Sequence, residues 1–124
     1  MKISCGTDIV SIERIKKAIE RHGDKFLNTV YTEDEIKYCL EHEASKYEHF
    51  AARFAAKEAA FKATTKIFDN EKNVDWKNIE VLKNEDGRPD IYFKNIESKR
   101  IESIDISLSH SDEFAVATVV VLYK

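Results

Sequence analysis

The sequence predicts an α+β fold, in which a mainly antiparallel sheet is packed by one long helix and several shorter helices. Three observations predict it. The chain has 124 residues, enough for one domain with a single core, and we assign residues 1–124 to that domain. An alanine-rich stretch in the middle of the chain favours a long helix. Short apolar stretches towards both ends are typical of strands.

The side chains of residues 3–10 alternate between two faces if this stretch is extended, and we predict a first strand that ends near Asp8. Ser11 is suited to cap the helix that follows, and Gly23 fits just past its end. The apolar residues of this helix recur at helical spacing: Ile12, Ile15 and Ile19.

Two further helices are predicted before the long one. Residues 24–30 favour a short helix. Thr32 followed by Glu35 is a capping-box pattern that opens a helix reaching about His42. The long helix should cover residues 47–67, where small alanine side chains also allow close packing against neighbouring elements.

The last third of the chain predicts strands. Two strands flank an Asp-Gly pair, which is typical of a tight turn. Residues 115–121 are apolar on both faces, which favours a central strand or one buried between subunits. The predicted elements, in order, are strands 79–83 and 89–93, a short helix 96–101, and a hairpin of strands 104–109 and 114–122.

Composition and charge exclude several classes of protein. With 43% apolar and 35% charged residues, the chain is typical of a soluble globular protein. A net charge of −3 does not indicate a nucleic-acid binder. No apolar run reaches the roughly 18 residues that span a bilayer, and the first residues do not resemble a signal peptide. We therefore expect a cytoplasmic protein with no nucleic-acid or membrane partner.

The two cysteines indicate neither a disulfide framework nor a zinc site. Cys5 and Cys39 lie far apart and form no C-x-x-C pair. We expect both to be small buried apolar residues.

Three separated blocks carry the chemistry: GTDIV at residues 6–10, RFAAKEAAFKA at residues 53–63 and SLSH at residues 107–110. Together they resemble the G-x-D-I, R-F-A-A-K-E-A-x-x-K-A and S-x-[ST]-H motifs of holo-acyl-carrier-protein synthases, within the 4′-phosphopantetheinyl transferase superfamily. The resemblance runs from end to end, and only residues 70–78 carry little of it. It implies a compact, trimeric fold of that type. It also implies transfer of 4′-phosphopantetheine from coenzyme A to a serine of apo-acyl carrier protein, in support of fatty acid biosynthesis.

Asp8 and Glu58 are candidate magnesium ligands. Each interrupts a small or apolar surface, where a carboxylate is costly to bury without a compensating positive charge. Two carboxylates and substrate phosphates are a common magnesium environment. An ordinary ion pair between Glu58 and Lys62, one helical turn apart, is the alternative. The resemblance implies that all three are catalytic, with Lys62 near the pyrophosphate, and it leaves open whether Glu58 or a water near the metal is the base.

His110 continues the alternation of Ile104, Ile106 and Leu108, a pattern that also fits an ordinary core histidine. The resemblance places it at the nucleotide end of coenzyme A. One departure is that some members carry a basic cluster before the long helix, where this chain has only Lys46. The residues expected to contact coenzyme A are Arg53, Phe54, Lys62, Gly87, Arg88, Pro89, Ser109, His110 and Ser111.

Arg14, Lys17 and Arg21 recur at helical spacing and form a basic ridge on an otherwise acidic chain. A solvated helix face is the commonplace explanation of such a ridge. The resemblance implies a docking site for the acidic recognition helix of acyl carrier protein.

Two other functions use parts of the same pattern. A magnesium-dependent phosphohydrolase would use both carboxylates with water as the nucleophile, and a non-catalytic module for acidic proteins would need only the basic ridge. The resemblance further implies a homotrimer with active sites between subunits. Asp8, Glu58 and Lys62 would come from one subunit, and His110 with the turn at residues 87–89 from its neighbour.

Overall fold

The computed structural model describes residues 1–68 and 74–124, and it confirms the predicted α+β architecture with antiparallel sheets. None of the helices in these residues is long and apolar enough to cross a membrane. The elements in chain order are β1 (Lys2–Ser11), α1 (Ile12–His22), α2 (Asp24–Val30), α3 (Glu33–Glu41), α4 (Lys46–Thr64), β2 (Ile79–Lys83), β3 (Pro89–Phe93), β4 (Ile101–His110) and β5 (Phe114–Tyr123).

The strands form two antiparallel sheets. The larger has the order β1-β5-β4, and the smaller is the hairpin of β2 and β3. The prediction of a central strand near the end of the chain is confirmed, because β5 pairs with a strand on each side. One face of β5 is buried against the core through Ala115, Ala117, Val119, Val121 and Tyr123.

Helix α4 lies against the inner face of the large sheet and approaches β1 very closely at Gly6. A Cβ atom at Gly6 would lie 2.1 Å from the carbonyl oxygen of Ala59 and 2.9 Å from the amide nitrogen of Ala63. Only glycine fits this crossing without displacing the backbone. The helix side is lined by buried small residues: Ala55, Ala56, Ala59, Ala60 and Ala63.

The predicted helix ends are confirmed where the signal is local. Ser11 caps α1 and accepts a hydrogen bond from the Arg14 amide at 3.2 Å. Gly23 ends α1 with a φ of 54°, a conformation that favours glycine. Thr32 and Glu35 form the complete capping box at the start of α3. Helix α2 covers residues 24–30, as predicted.

The ends of β1 and α4 differ from the predictions. β1 does not end near Asp8 but continues to Ser11, because β5 offers it pairing partners as far as Phe114. α4 ends at Thr64 and not at residue 67. After Thr64 the chain turns back into the core, and the amides of Ile67 and Phe68 both donate to the Thr64 carbonyl.

The predicted helix at residues 96–101 is wrong. Residues 95–100 form bends and a turn, Asn95 has a φ of 60°, and β4 already begins at Ile101 opposite Tyr123. Pairing with β5 therefore takes the last residue of the predicted helix into a strand. The terminal hairpin is confirmed, with both strands longer than predicted. Of the stretch 70–78, residues 70–73 lie outside the described residues.

The two cysteines have different environments. Cys39 is buried, as predicted, whereas Cys5 is exposed, so that prediction is wrong. Cys5 lies on the outer face of β1, and the helices cover the opposite face at Gly6. Strand alternation separates these faces, but it does not say which of them receives the helices.

Candidate active site

The crossing of β1 and α4 brings together the three predicted catalytic residues, Asp8, Glu58 and Lys62. Glu58 and Lys62 lie one turn apart on the side of α4 that faces β1. Lys62 Nζ lies 3.3 Å from Asp8 Oδ1 and donates a hydrogen bond to the Thr7 carbonyl at 2.9 Å. The Asp8 side chain is only 18% exposed, whereas that of Lys62 is 53% exposed. Lys62 therefore pairs across to the strand, an arrangement that differs from the ion pair with Glu58 along the helix.

The electrostatics of this site follow from two carboxylates in a half-buried place. Burial raises the pKa of Glu58, the negative charge of Asp8 raises it further, and Lys62 opposes the rise. Two negative charges face one lysine, so an additional positive charge would be stabilised at this site.

The carboxylates border a cavity of about 370 Å³ between β1, α1 and α4. Phe54 lines its apolar wall, and Arg14 lines it from α1. Arg14 is the first residue of the predicted basic ridge, and Lys17 and Arg21 follow it as exposed residues along α1. The ridge thus begins beside the carboxylates and runs away from them.

A second cavity, of about 500 Å³, gathers most of the other predicted coenzyme A residues. Arg53, Arg88, Pro89 and His110 line it. His110 is not a core histidine, because its side chain is 56% exposed at the end of β4 and its Nδ1 lies 3.9 Å from a Glu48 carboxylate oxygen. Sequence reasoning did not assign several residues of this cavity to the site, among them Tyr38, Glu48, His49 and Lys83.

Arg53 is largely buried and is held in place from two sides. Its Nε donates to the Val81 carbonyl at 3.2 Å, and its guanidinium lies 4.2 Å from the centre of the Tyr38 ring. Burial, with the charges of Arg53 and Lys83 among its neighbours, lowers the pKa of His49 to about 4. His49 is therefore neutral near neutral pH.

Three predicted contacts lie elsewhere in the chain. Gly87, with a φ of 80°, shapes the turn between β2 and β3 that presents Arg88. Ser109 is an exposed residue of β4, and Ser111 Oγ accepts hydrogen bonds from the amides of Glu113 and Phe114 in the next turn. Within the described residues, these three do not line the second cavity.

The two cavities are separate within one chain and share no lining residue among those described. Arg53 and Glu58 are five residues apart on α4, so their side chains diverge by about 140° around the helix axis. We call the two regions the carboxylate half-site (Asp8, Glu58, Lys62) and the cationic half-site (Arg53, Lys83, Arg88, His110).

A buried ion pair between the half-sites was not predicted. Lys57 Nζ lies 2.7 Å from Glu35 Oε1, and both side chains are completely buried. The same ammonium donates to the carbonyls of Trp76 and Ile79 at 2.7 and 2.6 Å. These bonds fix α4 to α3 and to the start of β2. The signal in the sequence is the position of Lys57, seven residues after the buried Phe50 and therefore on the same helix face.

The carboxylate half-site fits a magnesium ion. Among residues 1–68 and 74–124, no three potential ligands cluster as a self-sufficient metal site. Magnesium does not need one, since it commonly takes one or two carboxylates and completes its shell with water and phosphate oxygens. The charge of Asp8 contributes to the raised pKa of Glu58, and a bound cation would offset this repulsion between the two carboxylates.

Comparisons with known proteins converge on one family. A family model described as the 4′-phosphopantetheinyl transferase superfamily matches residues 4–119. A holo-[acyl-carrier-protein] synthase of Thermodesulfovibrio yellowstonii is 48% identical over 116 residues, which are 94% of this chain and 95% of that protein. One of Ruminiclostridium cellulolyticum is 41% identical, with 98% and 92% covered.

Solved structures of similar enzymes share the fold. The holo-(acyl-carrier-protein) synthase of Bacillus anthracis, in complex with CoA (3′,5′-ADP), superposes with a TM-score of 0.75 at 36% identity, and 95% of this chain and 94% of that chain are covered. The Helicobacter pylori enzyme, in complex with coenzyme A, gives a TM-score of 0.76 at 33% identity, with 95% and 99% covered.

Proposed function

The chain belongs to the 4′-phosphopantetheinyl transferase superfamily, and from this premise we propose that it is a holo-[acyl-carrier-protein] synthase. It transfers 4′-phosphopantetheine from coenzyme A to a serine of apo-acyl carrier protein and releases adenosine 3′,5′-bisphosphate. The product, holo-acyl carrier protein, supports fatty acid biosynthesis. The observation that carries the proposal is the meeting of Asp8, Glu58 and Lys62 where β1 crosses α4.

The reaction forms a bond from the serine oxygen to the β-phosphorus of coenzyme A and breaks the bond from that phosphorus to the departing nucleotide. Asp8 and Glu58 would hold the magnesium ion, which supplies positive charge to the pyrophosphate when bound. Lys62 stabilises the negative charge of the departing nucleotide and can give it a proton. Glu58 or a neighbouring water accepts the serine proton.

The cationic half-site is proposed to bind the nucleotide end of coenzyme A. Arg53 and Arg88 offer planar guanidinium groups that match phosphate oxygens. His110 lies at the rim of the cavity, and Pro89 adds an apolar wall. We assign Phe54, Gly87, Ser109 and Ser111 to the same substrate, as the family resemblance implies.

We propose that the protein is a homotrimer in which the carboxylate half-site of one subunit faces the cationic half-site of the next. Two observations support this. One chain keeps the half-sites in separate cavities. The outer face of the large sheet, opposite α4, is apolar and uncovered, with Ile3 72% and Ile9 62% exposed. The next strand continues this face with Val116, Val120 and Leu122.

The basic ridge of α1 is proposed to dock the acidic recognition helix of acyl carrier protein. Arg14 borders the carboxylate cavity, while Lys17 and Arg21 lie farther along α1. A carrier helix placed along the ridge would therefore bring its end close to the reacting phosphate. Complementary charge of this kind mainly raises the rate of encounter.

We propose that the enzyme acts in the cytoplasm. Cys5 and Cys39 are both free thiols, and Cys5 is exposed. Exposed free thiols are typical of a reducing compartment.

Mass spectrometry of an apo-carrier protein incubated with coenzyme A and magnesium tests the proposed function. We expect the carrier to gain the mass of one phosphopantetheine group at its serine, with release of adenosine 3′,5′-bisphosphate. Asp8→Asn and Glu58→Gln should abolish the gain, whereas Glu41→Gln, at an exposed carboxylate on α3, should keep it.

The same assay separates the other two functions. A phosphohydrolase would release free phosphopantetheine without any carrier. A binding module would retain the carrier and leave its mass unchanged. Either result with the wild-type protein would reject the proposed transfer.

A further inference from the structure

One edge of β2 is bonded by side chains in place of a neighbouring strand. β2 and β3 form a two-stranded sheet, in which β3 pairs with the other edge of β2. On the helix side, the Ile79 carbonyl accepts a hydrogen bond from Lys57 at 2.6 Å. The Val81 amide donates one to Glu35 Oε2 at 2.8 Å, and the Val81 carbonyl accepts one from Arg53. Buried backbone groups need partners, and here α3 and α4 supply them.

The buried pair of Lys57 and Glu35 makes two of these three bonds and several more. Lys57 Nζ also donates to the Trp76 carbonyl, in the turn that leads into β2. Glu35 Oε1 accepts from Lys57 and from the Thr32 amide, which begins α3. The pair therefore ties β2 both to the first turn of α3 and to the middle of α4.

Stability alone does not account for two charges in this place. Both side chains are completely buried. An apolar pair of similar volume is often as stable as a buried ion pair, or more stable. Such a pair would fill the space, but it could not bond to the edge of β2. What the charged pair adds is a fixed position of β2 relative to the two helices.

The position of β2 matters for the cationic half-site. The β2–β3 hairpin brings Lys83, Arg88 and Pro89 to the second cavity, whereas Arg53 reaches it from α4. The carboxylate half-site is built on β1 and α4, and the close crossing of these two elements fixes its geometry. A displaced hairpin would therefore disturb one half-site and spare the other.

We propose that Lys57, together with Glu35, is a positioning residue for coenzyme A, because it holds the hairpin against α4 and so sets the spacing between the two sides of the cationic half-site. The inference rests on the proposed function, in which coenzyme A binds at this half-site. Lys57 does not line the cavity within the described residues, and it acts through Val81 and Arg53. It thereby gives a role to a residue of the block at 53–63 that neither half-site contains.

The test replaces the charged pair by an apolar one and measures stability and kinetics separately. The double variant Lys57→Met with Glu35→Leu should regain, in urea unfolding, much of the stability that Lys57→Met alone loses. Its KM for coenzyme A should still be raised about tenfold or more, the effect of weakening one charge-assisted contact to the nucleotide. Its kcat per folded molecule and its KM for carrier protein should stay within about twofold of wild type, because distant sites are nearly independent.

Two further variants guard against a trivial explanation. Glu102→Leu with Lys124→Met removes a partly exposed ion pair that makes no bond to β2 in the described residues, and both KM values should stay unchanged. Glu35→Asp keeps both charges and shortens the reach to the Val81 amide. It should raise KM for coenzyme A by a smaller factor, and it decides the question if the apolar pair does not fold.

A stable double variant, or a folded Glu35→Asp, with the wild-type KM for coenzyme A would show that the pair serves stability only and would overturn the inference. An equal rise of both KM values would overturn it too, since it would indicate a general loosening. Calorimetric titration with coenzyme A needs no turnover and should show the same loss of affinity in the double variant. A wild type that binds coenzyme A but does not modify a carrier protein would reject the proposed function and leave this inference to the titration.

Discussion

Gly6→Ala should damage both the fold and the carboxylate half-site, because it forces β1 away from α4. The added Cβ would lie 2.1 Å from the Ala59 carbonyl oxygen, whereas an ordinary contact between carbon and oxygen is about 3.3 Å. The added Cβ is bonded to the backbone of β1 and the Ala59 oxygen belongs to the backbone of α4, so no flexible side chain can move aside to relieve the contact. The strand must therefore move by roughly 1 Å, which is the difference between these two distances.

This displacement sets the expected magnitudes. Overpacking of a tight interior costs about 1–3 kcal/mol, and we expect a loss of about 3 kcal/mol here because two backbone segments oppose each other. Asp8 lies two residues after Gly6 on the same face of β1 and moves with the strand. A misplacement of about 1 Å at a reacting centre lowers the rate by about a hundredfold. The transfer rate per folded molecule should fall by that order.

Urea unfolding, followed through the fluorescence of the single tryptophan at equal protein concentrations, measures the first effect. Carrier modification per folded molecule measures the second. Gly23→Ala is the matched control, since its Cβ would meet nothing within 4 Å and only its backbone conformation, with φ 54° and ψ −132°, is unfavourable, which costs about 1–3 kcal/mol. If Gly6→Ala behaved like Gly23→Ala in both assays, the close crossing would not be what positions Asp8.

Three further perturbations test separate parts of the molecule. Lys57→Met should lower the free energy of unfolding by about 3–5 kcal/mol, because it leaves the buried Glu35 carboxylate unpaired. The double variant Lys57→Met with Glu35→Leu should lose less stability in urea unfolding than the sum of the two single variants. Reversing the charge of Arg14 and Arg21 should raise KM for carrier protein but hardly change KM for coenzyme A in steady-state kinetics. Burial and the charge of Asp8 raise the pKa of Glu58. Added magnesium should lower this pKa, because positive charge favours the ionised carboxylate, and a carboxyl NMR titration measures the change.

Each of these tests has a control or an opposing outcome. Additive losses for the Glu35 and Lys57 changes would show that the two charges do not depend on each other. Lys25→Glu changes an exposed charge on α2 outside the ridge and should leave KM for carrier protein unchanged. Equal salt sensitivity in wild type and the charge-reversed ridge would indicate a different docking face. A Glu58 pKa that does not respond to magnesium would remove the metal from the carboxylate half-site.

The sequence predicted those parts of the fold that short-range chemistry determines. Ser11 and Gly23 bound α1 because a capping side chain and a positive φ are local requirements. The failed helix at residues 96–101 shows the limit, because Ile101 pairs with Tyr123 of β5 and the Lys124 amide donates to the Arg100 carbonyl. A pairing between segments distant in sequence decided this element, and no local pattern contains that information.

The candidate site divides in the same way. The motif residues Asp8, Glu58 and Lys62 were identified as a group, and the fold brings them together. The lining of the cationic half-site escaped prediction because Tyr38 and Lys83 come from different elements and belong to no recognisable pattern. A site made of single residues from separate elements can be recognised only when the tertiary structure is known.

The central claim is that one active site is built from the half-sites of two subunits, and complementation between inactive variants tests it most directly. Glu58→Ala and His110→Ala, each first shown to be inactive or nearly so alone, are unfolded and refolded together in equal amounts. In a ring of three directional interfaces, roughly one interface in four regains both groups, since each side is intact in about half of the subunits. We therefore predict about a quarter of wild-type transfer activity. No recovery, in mixtures that native mass spectrometry shows to contain hybrid trimers, would place the whole site within one chain and contradict the account.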